Sequence, residues 1–132
     1  MEHLIRIASS IAQVRLAAAK YDHISFKPPE AVARAAQTGL DQRKEHGRGG
    51  TEVGVARAAQ LARRDNVSPS TARRMKAYFD RHQVDKKGKG FDPGGEGYPS
   101  AGRIAYNLWG GEPGYSWAKK LCRQMDAADE KS

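Results

Sequence analysis

The sequence predicts an all-α protein of five to six short helices, joined by long glycine-rich loops. Apolar residues recur at three- and four-residue steps along most of the 132-residue chain. Prolines and small polar residues mark several helix starts, and no segment has a convincing strand pattern. Hydrophobic residues make up 39% of the chain, below the ~45–50% of a typical globular domain. We therefore expect a small and partly open core.

The chain divides into an N-terminal amphipathic helix at 1–21, a single basic helical domain at 22–127 and a polar tail at 128–132. The apolar residues of the first segment fall on one helical face: Leu4, Ile7, Ile11, Val14 and Ala18. This face predicts docking to a partner or a homodimer contact through residues 2–20. Its few basic residues do not favour a membrane surface. The tail is expected to fray.

Caps and helix breakers place the helices of the basic domain. Thr51, Ser68 and Ser100 are the predicted caps, and both tryptophans fall in the last two helices, as apolar anchors. Residues 84–99 are rich in glycine, lysine and aspartate and are predicted to form a long loop. The predicted helices span 29–46, 51–64, 68–82, 100–109 and 115–127.

Positive charge is concentrated in the middle third of the chain. Residues 43–89 contain thirteen Lys and Arg and five Asp and Glu, a net charge of +8 that equals the net charge of the whole chain. Such a segment suits a polyanion, and nucleic acid is the commonest one. A well-solvated helical surface is the alternative. We predict that the partner is nucleic acid, and double-stranded DNA is the first candidate.

Residues 61–74 resemble a bacterial helix-turn-helix. In that pattern Ala62 is small where two helices cross, Val67 fills the space between them and Ser68 caps the second helix. The turn has Asn66 where glycine is usual, and asparagine tolerates a left-handed backbone. An ordinary helical hairpin in an Ala/Arg-rich sequence is the alternative.

In a DNA-reading motif, the helix that starts at Pro69 would enter the major groove by its N-terminal end. Its side chains would contact bases and phosphates, and the basic residues on either side would contact phosphates. The predicted nucleic-acid-binding residues are Arg57, Arg63, Arg64, Ser70, Thr71, Arg73, Arg74, Lys86, Lys87 and Lys89.

A second candidate site is the glycine-rich turn before the helix that Thr51 caps. Backbone N–H groups at a helix start can hold a phosphate. The Gly-Lys-Ser/Thr ending of a Walker loop is absent, and a plain flexible hinge is the alternative. The predicted anion-binding residues are Arg48, Gly49, Gly50 and Thr51.

The sequence gives no indication of catalysis, a metal or a cofactor. Four histidines and one cysteine are scattered and make no metal-ligand spacing. We expect His82 and Cys122 to be packing residues, and the single cysteine fits a reducing cytoplasm. No apolar run reaches the ~20 residues of a membrane span. We therefore expect a protein that is not an enzyme and has no membrane segment.

Several short segments in residues 22–125 together resemble a small phage-associated module. They are ISFKPP at 24–29, GRGGT at 47–51, VSP at 67–69, FDRH at 79–82, VDKKG at 84–88, GYPSAGRIA at 97–105 and LWGG at 108–111. The module is similar to segments attached to phage head-maturation proteases and related head-assembly proteins. It also occurs as a free-standing protein.

This resemblance implies a phage context and carries no catalytic residue with it. It implies a location in the host cytoplasm, in the nucleoid or in the virion. Two hypotheses stay open. One is a phage DNA-binding protein that uses the basic hairpin, and the other is a virion or head-assembly component that binds capsid protein or an acidic partner.

Overall fold

The computed structural model describes residues 19–131 and is all-helical over that range. No strand occurs in these residues, so the predicted all-α class is confirmed. A short 3-10 helix, Gln83–Lys87, follows the third α-helix directly. The α-helices of the described range are α1 (Glu30–His46), α2 (Glu52–Ala62), α3 (Pro69–His82), α4 (Ala101–Leu108) and α5 (Gly111–Glu130).

The three predicted caps are confirmed. The side-chain oxygens of Thr51, Ser68 and Ser100 each accept a hydrogen bond from the backbone N–H three residues further on, at 3.0 to 3.3 Å. Each bond satisfies one of the N–H groups that a helix start leaves without a partner. The starts of α2, α3 and α4 therefore follow from local sequence alone.

A polar, frayed tail was predicted at 128–132. This prediction is wrong for residues 128–130, because α5 continues to Glu130. The Tyr21 hydroxyl donates a hydrogen bond to the carboxylate of Asp129 at 2.6 Å. The Lys20 ammonium lies 3.3 Å from the same carboxylate. These contacts fasten the end of α5 to the chain that precedes α1, so the helix continues where fraying was expected.

The predicted N-terminal helix lies outside the described residues except at its end. Ala19 and Lys20 are helical, and a turn follows them. The proposed docking or dimerisation face at 2–20 therefore stays a prediction. The start of the basic domain is described from this turn onward, and Ile24 of that segment is buried in the main core.

The helices form two packed pairs around one core. α2 packs on α1, whereas α3 packs on α5, and α1 also contacts α4 and α5. Leu61, Met75, Ile104 and Leu121 are almost completely buried in this core. Direct contact between α2 and α3 is slight. These two helices share a core but do not pack face to face as a hairpin.

Gly39 lies inside α1, at the point where α1 crosses α4 closely. Glycine inside a helix costs about 1 kcal/mol relative to alanine. A Cβ added to Gly39 would lie 2.6 Å from the backbone nitrogen of Leu108 and 2.9 Å from the carbonyl carbon of Asn107. No side chain fits between the two backbones, so the crossing requires glycine.

Aromatic residues form a second buried cluster beside the main core. Phe79, Phe91 and Tyr106 pack there edge to face, with ring centroids 4.9 and 5.4 Å apart. Phe91 comes from residues 88–100, which contain no helix. Arg103 donates to the carbonyl of Phe91 at 2.7 Å and lies over its ring. The loop is therefore anchored, although the predicted loop at 84–87 is a 3-10 helix instead.

Candidate nucleic-acid interface

The turn between α2 and α3 differs from the predicted helix-turn-helix. Its left-handed residue is Arg64, with φ of 58°, whereas Asn66 was expected to take that conformation. Arg64 Nε donates to the carbonyl of Pro28 at 2.8 Å, and its guanidinium lies 3.6 Å from Glu30. The turn is thus fastened to the start of α1, and Arg64, still partly exposed, has an acidic partner there.

Two of the predicted DNA-reading residues near the start of α3 have other surroundings than expected. Thr71 is only 8% exposed, and its hydroxyl accepts a hydrogen bond from Ser68 Oγ at 2.9 Å. The Arg73 guanidinium lies 3.1 Å from Asp126 and 3.4 Å from Asp129, both on α5. The prediction that Thr71 faces DNA is wrong because its side chain is buried and its hydroxyl is bonded to Ser68. The Arg73 guanidinium pairs with both of these carboxylates.

Several other predicted contacts also have partners within the protein. Arg63 lies 2.9 Å from Asp65, and Lys89 lies 3.4 Å from Glu96. All four side chains are mainly exposed. Exposed pairs of this kind add little stability, but they lower the local positive charge that a polyanion would meet.

Lys86 contacts two side chains, whereas Arg63 and Lys89 each pair with one. Its ammonium pairs with Glu112 and lies over the Tyr106 ring, 5.5 Å from the centroid. The hydrogen bond to Glu112 raises the pKa of Lys86. The Tyr106 hydroxyl donates to the same carboxylate at 2.7 Å. Lys86 is therefore part of a side-chain network beside α5.

A different face of α3, about 100° around the helix from Arg73, presents arginines that remain available. Arg74 and Arg81 are exposed and have no acidic partner within residues 19–131. Their spacing of seven residues places them on the same face of the helix. Arg81 was not predicted as a site residue, although its seven-residue spacing from Arg74 was visible in the sequence. Ser70 and Lys87 are also exposed.

A stack of flat side chains lies beside these arginines. The Tyr78 ring, one helical turn after Arg74, stacks on the Trp109 ring at 4.7 Å and 11°. The Arg57 guanidinium lies over the same Trp109 ring, 5.6 Å from its centroid. Trp109 was predicted only as an apolar anchor. It also brings Arg57 of α2 to the same side of the molecule as the outer face of α3.

Arg57 is half-buried and incompletely hydrogen-bonded. Its Nη1 donates to Gln60 at 2.7 Å, but its Nε is buried with no acceptor among the described residues. Burial, together with the nearby positive charge of Arg74, lowers the pKa of Arg57. An arginine still keeps its proton at neutral pH. This is therefore a charged group that lacks part of its solvation.

The glycine-rich turn before α2 is exposed at Arg48, Gly50 and Thr51 but is held by specific contacts. Arg48 donates to the carbonyl of Pro99 at 2.9 Å, and a Cβ on Gly49 would lie 2.6 Å from Ile104. Thr51 uses its hydroxyl as the helix cap. These contacts restrain the turn, and the flexible-hinge alternative stays open. Anion binding at this turn stays a prediction.

His82 differs from the buried packing residue that was expected. Its side chain is 41% exposed, its ring stacks on Tyr78 at 4.4 Å and its Nδ1 lies 3.0 Å from Asp85. Cys122 is buried, as expected. In the described part of the chain, no three His, Cys, Asp or Glu side chains converge as metal ligands. None of the helices in residues 19–131 is long and apolar enough to cross a bilayer.

Comparison of the chain with protein-family models, with curated proteins and with solved structures finds no match. The resemblance to a phage-associated module is therefore still a prediction from sequence. The function has to be argued from the site itself. The part of the site that fits a polyanion is the outer face of α3, together with Arg57 and the Trp109 ring.

Proposed function

We propose that this protein binds nucleic acid, with double-stranded DNA as the first candidate, through Arg57, Arg74 and Arg81. We term these residues the outer arginine surface. One observation carries the proposal: these arginines have no acidic partner among the described residues, whereas Arg64 has one and Arg73 has two.

Exposed arginines without carboxylate partners favour phosphate groups for two reasons. A guanidinium presents a planar fork of N–H donors that matches phosphate oxygens. Each phosphate contact also releases a condensed counterion from the nucleic acid, which makes the affinity depend on salt. The outer arginine surface offers this chemistry on two neighbouring helices.

Binding through this surface would contact the nucleic-acid backbone more than the base edges. Groove reading needs several free side chains at the start of a helix, and two of those predicted for α3 are engaged: Thr71 is buried and Arg73 is paired with α5. Contacts to phosphate alone carry no sequence information. We therefore propose a non-enzymatic protein that binds nucleic acid with little sequence preference.

The test is fluorescence anisotropy of a labelled random duplex across a salt series. We expect submicromolar binding at low salt, with a slope of log K against log salt of about −2 to −3, because each phosphate contact contributes about −0.9. A single-stranded oligonucleotide of the same length, in DNA and in RNA, would then establish the preferred form.

Absence of binding at low salt would contradict the proposal. The positive charge would then serve a protein partner, and the virion or head-assembly hypothesis from the sequence would take its place. The phage context inferred from the sequence belongs to both hypotheses, so this experiment separates them without depending on it.

A further inference from the structure

Arg57 has hydrogen-bonding capacity that the described residues do not use. Nη1 donates to Gln60, whereas Nε is buried without an acceptor. Polar groups in this condition are rare in folded proteins, because burial without a partner is unfavourable. The buried Nε is itself out of reach of a ligand, but Arg57 is only half-buried. An anion at the exposed part of the guanidinium would therefore compensate a charge that has lost part of its solvation.

The surroundings hold the Arg57 guanidinium in place. It lies over the Trp109 ring at 5.6 Å, and Trp109 is itself fixed by stacking on Tyr78 at 4.7 Å. Tyr78 is 7% exposed and belongs to α3. A cation fixed over an aromatic face loses less side-chain entropy when it binds an anion. The arrangement is thus pre-organised for a ligand.

Arg74 supplies a second positive charge on the same side. It lies one turn before Tyr78 on α3, so its side chain and the Tyr78–Trp109 stack share a face. No acidic side chain among residues 19–131 pairs with Arg57 or Arg74. Two neighbouring guanidinium groups without a carboxylate repel one another, and an anion between them would remove that repulsion.

From these contacts we infer that Arg57 and Arg74 form a discrete phosphate-binding site between α2 and α3, beside the Trp109 ring. Phosphate is the favoured ligand class because its oxygens can accept from both guanidinium groups at once. The inference rests on the proposed function only for the source of the phosphate. That source is a phosphodiester of the nucleic-acid backbone, and free phosphate offers the same chemistry.

The direct test is NMR of arginine side chains, following the Nε–Hε signals during a titration with inorganic phosphate at constant ionic strength. The Arg57 signal is expected to shift and saturate. Arg63 is the matched control, since it lies at the end of the same helix and is paired with Asp65. An unmoved Arg57 signal, or parallel unsaturated shifts of Arg57 and Arg63, would overturn the site.

A conservative substitution separates a phosphate site from a general effect of charge. Arg57→Lys keeps the charge but loses the planar fork, so phosphate binding should weaken about tenfold. Arg63→Lys should leave it unchanged. Equal phosphate affinity in the wild type and in Arg57→Lys would contradict a role for the planar fork of Arg57. The fold of each variant is checked by its helical circular dichroism spectrum.

Failure of this inference can be told apart from failure of the proposed function. Duplex binding with an unmoved Arg57 signal would remove the discrete site and leave the outer arginine surface. Saturable phosphate binding at Arg57 without duplex binding would support the site, with free phosphate as the source, and would contradict the nucleic-acid proposal.

Discussion

The two sides of α3 carry the same kind of residue in opposite electrostatic settings. Arg73 lies against Asp126 and Asp129 of α5, and Lys76 lies 2.7 Å from Asp80. We term Arg73 and Lys76 the inner pair. The outer arginine surface has no such carboxylates. Arg73 and Arg74 are adjacent in sequence but point about 100° apart around the helix, so the fold neutralises one and leaves the other available.

This difference shows why net charge alone identifies a site poorly. Acidic residues from outside the basic third fold back onto it: Glu30 contacts Arg64, and Asp126 contacts Arg73. The charge that a partner would meet is what remains after these pairs form. On α3, this charge lies on the face of Arg74 and Arg81, which form no ion pair within the described residues.

The largest effect is expected from charge reversal on the outer side of α3. Arg74→Glu with Arg81→Glu should weaken duplex binding about a hundredfold or more at low salt, because it removes two phosphate contacts and adds repulsion. Both side chains are exposed, so the thermal midpoint should change little. Anisotropy and thermal unfolding measure the two quantities on the same sample.

A smaller effect on binding is expected from the inner pair. Arg73→Glu with Lys76→Glu changes the net charge by the same amount as the outer variant, so it controls for long-range electrostatics. It places glutamates beside Asp126 and Asp80, which should lower the unfolding midpoint by roughly 3–6 °C. An equal loss of duplex binding in both double variants would contradict the distinction between the two sides.

The smallest expected effect concerns pH on the inner side. Hydrogen bonds from Lys76 and Tyr115 lower the pKa of Asp80. A lowered pKa in the folded state gives stability that is present above the unfolded pKa and is lost as pH falls through the folded value. Tyr115→Phe removes one of these bonds and should raise the Asp80 pKa toward its ordinary value of 3.8.

The measurement is a carboxyl carbon NMR titration of Asp80 in the wild type and in Tyr115→Phe. The substitution keeps the ring that stacks on Phe79, so packing is preserved. The acid limb of the stability curve should move to higher pH in the variant. An unchanged Asp80 pKa would mean that this inner-side contact does not form in solution.

Much of the helical pattern was predictable because its causes are local. Thr51, Ser68 and Ser100 cap the helices that they precede, and Pro69 opens α3. The start of α5 was misplaced, since the prediction began this helix at 115 and it begins at Gly111. Gly110, at φ of 112°, leads directly into the next helix. One glycine pair can end a helix and begin another.

The candidate site was only partly predictable. Arg57 and Arg74 were found through the charge of their segment, but the pairing of Arg73 depends on carboxylates more than fifty residues away. The role of Trp109 beside Arg57 depends on how α4 sits against α2. Contacts of this range follow from tertiary packing, which local patterns do not specify.

The most direct test of the difference between the two sides of α3 replaces each of the two adjacent arginines alone. Duplex affinity would be measured for Arg73→Gln and Arg74→Gln at one low salt concentration and then across a salt series. We expect Arg74→Gln to weaken binding by about three- to tenfold and to reduce the salt slope by about one unit, with Arg73→Gln close to the wild type. An equal or larger loss in Arg73→Gln would contradict the account.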